Sequence, residues 1–167
     1  MSYQPGRSRL LQGALAGAGA WVVGAAVTVL AMVFVLGIFE TSQVGHAVVA
    51  YSMLVVWFVF VLAFGGGESA LLFVIVGVAS SFLLLVAGAI AVARVSSVAG
   101  PWDGLKVGAT IGVGHALLTA LAFSTFDPAF LGRQPALRTF ALAFGGFVVP
   151  AILGAAGGVL QQQFQAR

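Results

Sequence analysis

The chain has 167 residues, of which 61% are hydrophobic and only 7% are charged, and its formal net charge is +3. Soluble domains carry about 25% charged residues, so this composition excludes an ordinary soluble protein. The seven Lys and Arg residues form no basic cluster interleaved with aromatics, which argues against nucleic-acid binding, and the absence of cysteine excludes disulfides and thiolate chemistry.

Five uncharged apolar segments follow one another along the chain, and almost every charge lies between them. A helix rises about 1.5 Å per residue, so roughly 20 apolar residues cross a hydrocarbon layer about 30 Å thick. The sequence therefore predicts an all-α fold, a polytopic transmembrane bundle of five membrane-spanning helices that forms a single domain over residues 1–167. The predicted spans are residues 13–38, 47–64, 70–93, 107–126 and 139–160.

The first span follows two arginines, Arg7 and Arg9, and its apolar run continues to Phe39. This run is longer than the roughly 7–15 apolar residues of a signal peptide, so we interpret it as an uncleaved span. The two arginines before it and the single Glu40 after it favour a cytoplasmic N-terminus. With five spans, the C-terminus is then expected on the outer face.

The second and third spans are separated by three glycines at residues 65–67, which predict a tight turn and an antiparallel hairpin. The second span is rich in Val and Phe, and we expect it to face lipid. The third span carries Ser80 and Ser81 near its middle and ends at Arg94.

Two prolines influence the last two spans. Pro101 prevents the third span from continuing into the fourth, and Asp103, which follows it, is expected to cap the fourth span or to pair with Arg94. Pro150 lies inside the fifth span. Because proline has no N–H, it should leave a backbone carbonyl free near the middle of that helix, and a neighbouring group or water must satisfy it.

Small residues recur every four positions in spans one, four and five, so they line one face of each helix. In lipid, close van der Waals approach decides which helices pair. We therefore predict that these three spans form the tight centre of the bundle, although Gly and Ala are also simply common in membrane helices. The predicted helix-packing residues are Gly13, Gly17, Gly24, Gly108, Gly112, Ala116, Gly154 and Gly158.

His115 is the one ionisable residue near the middle of a span, where such groups are costly. Thr119 lies one turn further along the same helix, and with Ser80 and Ser81 these residues form a candidate polar site. An imidazole beside hydroxyls is able to relay protons or bind a ligand. The structural alternative is a neutral histidine that is hydrogen-bonded across the bundle.

Several chemistries have no sequence support. No carboxylate lies inside a predicted span, which argues against proton-coupled efflux through a membrane-embedded acid. No phosphate-binding or metal-binding motif occurs, and no nucleophile, base and oxyanion site are grouped together. We therefore predict no cofactor, no metal and no enzymatic activity.

Small residues are grouped in three parts of the chain: residues 13–20 with Gly24 and Thr28, residues 92–94 with 106–110 and 113–114, and residues 149–150 with 154–158. These segments resemble a small, uncharacterised family of haloarchaeal membrane proteins. One difference is Gly114-His115, where that family has a glycine followed by an aromatic residue. The resemblance implies a five-span integral membrane protein without an assigned activity, and it transfers no active site.

The sequence as a whole predicts a multi-pass protein of the cell membrane. Its expected partners are the lipid bilayer and either another membrane protein or further copies of the chain. The leading interpretation is a structural or accessory subunit that packs against such a partner. The alternative is a transporter or channel component with a polar site near His115 that also includes Thr119, Ser80 and Pro150.

Overall fold

The structure is a computed structural model that describes residues 5–36, 44–45, 47–52, 68–126 and 134–167. All regular elements within these ranges are helical, so the prediction of an all-helical fold is confirmed for the described residues. The elements are α1 (Pro5–Leu36), α2 (Glu68–Ala93), α3 (Pro101–Ala109), α4 (Ile111–Phe126), α5 (Pro135–Phe140), a π-helical segment (Ala141–Val148) and α6 (Val149–Gln165).

Four helical stretches in the described residues are long and apolar enough to cross a membrane. They correspond to predicted spans one, three, four and five, and the last two combine α3 with α4 and α5 with the π-helical segment and α6. Of the predicted second span, 47–64, only residues 47–52 are described, and a fifth span stays a prediction. The four stretches are Arg9–Phe34, Val74–Ala93, Pro101–Phe126 and Pro135–Gln165.

α1 and α2 are antiparallel neighbours. Gln12, near the start of α1, and Arg94, just after α2, line the two sides of one groove. Further along, Ala25 of α1 and Val76 of α2 belong to the same buried cluster. The end of α1 and the start of α2 therefore lie at the same end of the bundle, which we call the far end.

The fourth predicted span runs parallel to α1. Gly13 meets Thr110, which joins α3 to α4, and Trp21 reaches Thr119 about two turns further along both helices. The start of α3 is thus beside the start of α1, at the end of the bundle that we call the terminal end.

α6 is antiparallel to α3, because Gly158 faces Gly104 and Gly154 faces Gly108. The C-terminal part of α6 therefore lies at the terminal end, together with the N-terminal part of α1. The prediction placed the C-terminus on the face opposite the N-terminus, whereas the four described stretches place the two at the same end.

The packing order also differs from the prediction that spans one, four and five form the centre. Among the described elements, α1 and α6 make no extensive contact with each other, and each packs instead against α2 and against α3 or α4. At the middle of the bundle, Ala20, Leu84 and Ile111 form a buried cluster that Leu153 covers. α2 has no long stripe of small residues, yet it is as central as the helices that carry such stripes.

Residues 47–52 are helical and lie inside the bundle, although the second span was expected to face lipid. Val49 is buried with Phe123 of α4 and Ala141 of the π-helical segment. Tyr51 and Ser52 have no exposed surface at all (0%). A high content of large apolar residues thus did not indicate lipid exposure, because it is equally compatible with a buried helix.

Arg9 connects α1 to the loop between α2 and α3. Its guanidinium donates to the backbone carbonyl of Ser97 over 2.7 Å and lies 3.8 Å from the Asp103 carboxylate. Asp103 therefore pairs with Arg9 and not with Arg94 as predicted. No side chain caps the N-terminus of α3, where Gly100 is the N-cap residue. The Asp103 carboxylate instead accepts a hydrogen bond from the Ala99 amide over 3.4 Å.

Candidate functional site

The small residues of α1 face α3 and α4 at a distance that only glycine permits. A Cβ on Gly17 would overlap the backbone carbonyl of Ile111, and one on Gly13 would overlap the Thr110 side chain. Gly24 lies further along α1 and faces the phenol group of Tyr51. The glycines predicted in span one thus serve two different contacts, one with a helix backbone and one with an aromatic side chain.

The glycines of α3 and α6 face each other. A Cβ on Gly108 would overlap the carbonyl oxygen of Gly154, and one on Gly154 would crowd the carbonyl oxygen of Gly108. Gly158 and Gly104 show the same reciprocal relation one turn further towards the terminal end. The two backbones are therefore in direct contact along this interface, which we call the α3–α6 interface.

Two of the predicted packing residues lie nearer the π-helical segment. A Cβ on Gly112 would come within 2.7 Å of the Phe147 carbonyl oxygen. Ala116 is only half-buried and lines a shallow groove between α4 and the π-helical segment, next to Leu142.

Three further glycines make equally close contacts that the sequence analysis did not identify. A Cβ on Gly88 would overlap the Gly154 carbonyl, one on Gly114 that of Ala14, and one on Gly157 that of Leu85. Gly88 and Gly114 belong to no recognised small-residue row, so periodicity gave no signal for them. Gly157 lies next to Gly158 and was concealed by the GxxxG spacing of its neighbour.

His115 is completely buried (0% exposed) and points into a helix contact. Its Nδ1 lies 3.0 Å from the backbone carbonyl oxygen of Gly146, in the π-helical segment. Because a carbonyl oxygen only accepts, Nδ1 carries the proton of this bond. His115 therefore connects α4 to the stretch Pro135–Gln165 through a hydrogen bond from its side chain to the backbone.

The Gly146 carbonyl is the one that Pro150 would leave without a donor in α-helical geometry. In an α-helix, a carbonyl accepts from the amide four residues later, and for Gly146 that residue is a proline without N–H. The π-helical segment, Ala141–Val148, includes Gly146. At its end the Val149 amide donates to the carbonyl of Phe144, five residues earlier. The carbonyl that Pro150 was expected to leave free is thus the one that His115 reaches.

Thr119 completes a chain of polar contacts between three helical elements. The Trp21 indole Nε1 of α1 donates to Thr119 Oγ1 over 3.1 Å. Thr119 Oγ1 in turn lies 3.5 Å from His115 Nδ1, at the outer limit of a hydrogen bond. α1, α4 and the π-helical segment are therefore linked at one level of the bundle.

Tyr51 lies at the same level and was missed by the sequence analysis. Its ring packs edge-on against Trp21, with centroids 6.0 Å apart, and tilted against His115 at 5.9 Å. A tyrosine followed by a serine inside an apolar segment was the available signal, because buried hydroxyls in lipid require partners. We refer to Trp21, Tyr51, His115 and Thr119 as the polar cluster.

Ser80 and Ser81, by contrast, form their hydrogen bonds within their own helix. Ser80 donates to the Val76 carbonyl over 2.7 Å and Ser81 to the Gly77 carbonyl over 2.8 Å. Such bonds to the carbonyl four residues earlier satisfy a hydroxyl without a second helix. The Ser80 side chain also lies beside the Tyr51 phenol, so only Ser80 adjoins the polar cluster.

Three buried polar atoms near this level have no hydrogen-bond partner among the described residues: Tyr51 Oη, Ser52 Oγ and His115 Nε2. Leaving such an atom unpaired away from water costs about 1–3 kcal/mol. The described residues contain no group of three or more His, Asp or Glu side chains placed to hold a metal ion.

A family of unknown function, DUF7978, matches residues 59–165. The chain belongs to this family. The match includes the α3–α6 interface, His115, Gly146 and Pro150, whereas Trp21 and Tyr51 lie outside it. Of the three segments that carry the haloarchaeal resemblance, the second and third lie within the match, and the haloarchaeal origin stays a prediction. Neither the curated proteins nor the solved structures gave a match to this chain.

Proposed function

We propose that this protein is a non-enzymatic integral membrane protein, a structural or accessory subunit that packs against a membrane partner or against further copies of itself. The observation that carries the proposal is the position of His115. The single imidazole within a candidate span is buried in a helix contact, and its Nδ1 proton satisfies a backbone carbonyl of the neighbouring stretch.

The polar cluster supports a structural role for this histidine. In lipid, interhelical hydrogen bonds contribute to helix association because alternative partners are scarce. The bond from Trp21 to Thr119 and the bond from His115 to Gly146 connect three helical elements at one level. Each polar group that makes these bonds is thereby used to hold helices together.

The outer surface supports the expectation of a partner. Between α3 and α6 runs an apolar groove that opens to the outside and is lined by four alanines together with larger side chains, which include Leu105 and Leu160. Small side chains allow another helix to approach closely, which is the main source of helix association in lipid. The alanines are Ala109, Ala151, Ala155 and Ala156.

The charges support an orientation in which both termini face the cytoplasm. Five of the seven basic residues lie at the terminal end, and Arg138 lies towards the far end, where α2 begins with Glu68. Cytoplasmic faces of membrane proteins carry an excess of Lys and Arg. The five basic residues at the terminal end are Arg7, Arg9, Arg94, Lys106 and Arg167.

Purification in a mild detergent tests the association. We expect the protein to migrate as a dimer or with a larger membrane protein, and Ala156→Leu, which fills the groove between α3 and α6, to release it as a monomer. Ala143→Leu adds the same volume at another exposed position and should leave the association intact. A wild-type protein that is monomeric at every protein concentration, with no bound partner, contradicts the proposal.

A transporter or channel component is the second candidate, and the unpartnered atoms beside the π-helical segment favour it. π-helical turns occur frequently at functional sites. Proton flux into proteoliposomes, followed with an internal pH dye, separates the two candidates. We expect no flux above that of protein-free liposomes. A flux that His115→Ala abolishes in a folded protein would instead support the transporter.

A further inference from the structure

The groove between α1 and α2 has a basic group at its mouth and an apolar interior. We propose that it binds one anionic phospholipid, with an acyl chain along the groove and the phosphate at Arg94. This α1–α2 groove is separate from the groove between α3 and α6. Its lining includes Gln12 and Arg94 at the terminal end, Ala16 and Gly19 along its floor, and Val23 and Leu83 at its inner end.

The length of the groove along α1 fits a single lipid acyl chain better than a partner helix. From Gln12 to Val23 the groove follows α1 for about 16 Å, at about 1.5 Å per residue. One leaflet contributes roughly half of the 30 Å hydrocarbon layer. The groove therefore extends from the headgroup region to the middle of the bilayer, whereas a spanning helix would need the whole thickness.

The floor of the groove contains unfilled space at Gly19. Gly19 is exposed, and a Cβ built on it would meet no atom within 4 Å. The other glycines of α1 within the bundle, such as Gly13 and Gly17, would instead overlap a neighbouring helix. Gly19 thus leaves room next to the groove that no described part of the chain fills.

The charge at the mouth points to a phosphate. Arg94 is exposed, and no carboxylate among the described residues lies within ion-pair distance of it, whereas Arg9 at the same end is engaged by Ser97 and Asp103. A guanidinium presents several donors that match the oxygens of a phosphate group. Gln12, on the facing helix, adds an amide that is able to donate to the same headgroup.

Electron paramagnetic resonance with spin-labelled lipids tests this proposal on the full chain. The protein is reconstituted in dioleoylphosphatidylcholine that contains a trace of spin-labelled phosphatidylglycerol or spin-labelled phosphatidylcholine. The motionally restricted fraction reports lipid that is bound to the protein. We expect phosphatidylglycerol to associate about fivefold more strongly, as one juxtamembrane basic residue provides.

Two variants test the two halves of the site without disturbing the helix contacts. Arg94→Gln removes the charge, and Gly19→Leu fills the groove while leaving the charge in place. Both should bring the preference for phosphatidylglycerol close to one. Their controls are Lys106→Gln, an exposed cation outside the groove at the same end, and Ala26→Leu, an exposed position further along α1. The controls should retain most of the preference.

Equal restriction of the two spin-labelled lipids by the wild-type protein overturns the proposal, as does an unchanged preference in Arg94→Gln. A preference that survives Gly19→Leu while Arg94→Gln abolishes it rejects the groove as the site of the acyl chain. Because the chain has no cysteine, Gly19→Cys provides a unique cross-linking position. Efficient formation of a dimer through this cysteine in the membrane would show a second copy in the groove and overturn the lipid assignment.

Discussion

The α3–α6 interface and the polar cluster hold neighbouring helices together by different physical means. At the interface, Gly108 and Gly154 bring two backbones into direct contact, and the attraction is dispersion over a close approach. At the polar cluster, Trp21 and His115 connect helices through directed hydrogen bonds. Contacts of the first kind tolerate no added atom, whereas contacts of the second kind depend on particular donors and acceptors.

This difference predicts how each region responds to substitution. An added side chain at a glycine contact forces two helices apart, and its cost therefore grows with the size of the side chain. A removed donor in the polar cluster leaves one buried acceptor unpaired, and its cost is limited to that group and the space it leaves.

The largest effect is expected for Gly154→Leu. The new side chain would collide with the Gly108 carbonyl and with Ile111, and neither a backbone nor a fully buried residue moves easily. We expect the free energy of unfolding in detergent to fall by at least about 3 kcal/mol. Gly19→Leu, whose site is open, is the matched control and should change stability by less than about 1 kcal/mol. If both variants lost the same free energy of unfolding, glycines in helix contacts would not differ from glycines at open positions.

A smaller effect is expected for His115→Ala, which leaves the Gly146 carbonyl without its side-chain donor. The expected loss is about 1–3 kcal/mol, measured by thermal or denaturant unfolding in detergent. Pro150→Ala restores the amide that an α-helix would offer to Gly146. In that background His115→Ala should therefore cost about 1 kcal/mol less, which a double-mutant cycle measures. Strictly additive effects would show that Pro150 does not create the requirement for His115.

The smallest effect is expected for Trp21→Phe. This change keeps an aromatic ring beside Tyr51 and removes the indole donor to Thr119. Single side-chain hydrogen bonds between membrane helices contribute about 0.6 kcal/mol on average, and we expect a loss of that order. Val22→Ala, at an exposed neighbouring position, controls for changes in α1 itself. A loss as large as that of Gly154→Leu would mean that the polar cluster, and not the glycine contact, dominates stability.

Several features followed from the sequence because they depend on local properties. Helix length and hydropathy predicted four stretches that the structure also describes as candidate spans. The spacing of Gly108, Gly112, Gly154 and Gly158 placed these glycines on one face of their helices. Proline chemistry indicated that a carbonyl before Pro150 would accept from another group, and His115 contacts the carbonyl of Gly146. None of these inferences requires knowledge of which helices are neighbours.

Other features were decided by contacts between residues far apart in the chain. The hydropathy of residues 47–52 is the same whether they face lipid or a neighbouring helix, so the burial of Tyr51 was not predictable from it. The partner of the Gly146 carbonyl lies 31 residues away, and that of Trp21 lies 98 residues away. The shared position of both termini follows from the parallel packing of α1 with the fourth predicted span and the antiparallel packing of α6 against α3.

The amino-acid sequence by itself determined that this chain forms apolar helices of membrane-spanning length, because that outcome depends on the solvent preference of each segment alone. Only the tertiary structure decided that α2 lies in the centre, that His115 serves the backbone of Gly146, and that the groove beside Arg94 remains open. These features depend on the relative placement of helices, which is set by the summed close contacts of the whole bundle and not by any one segment.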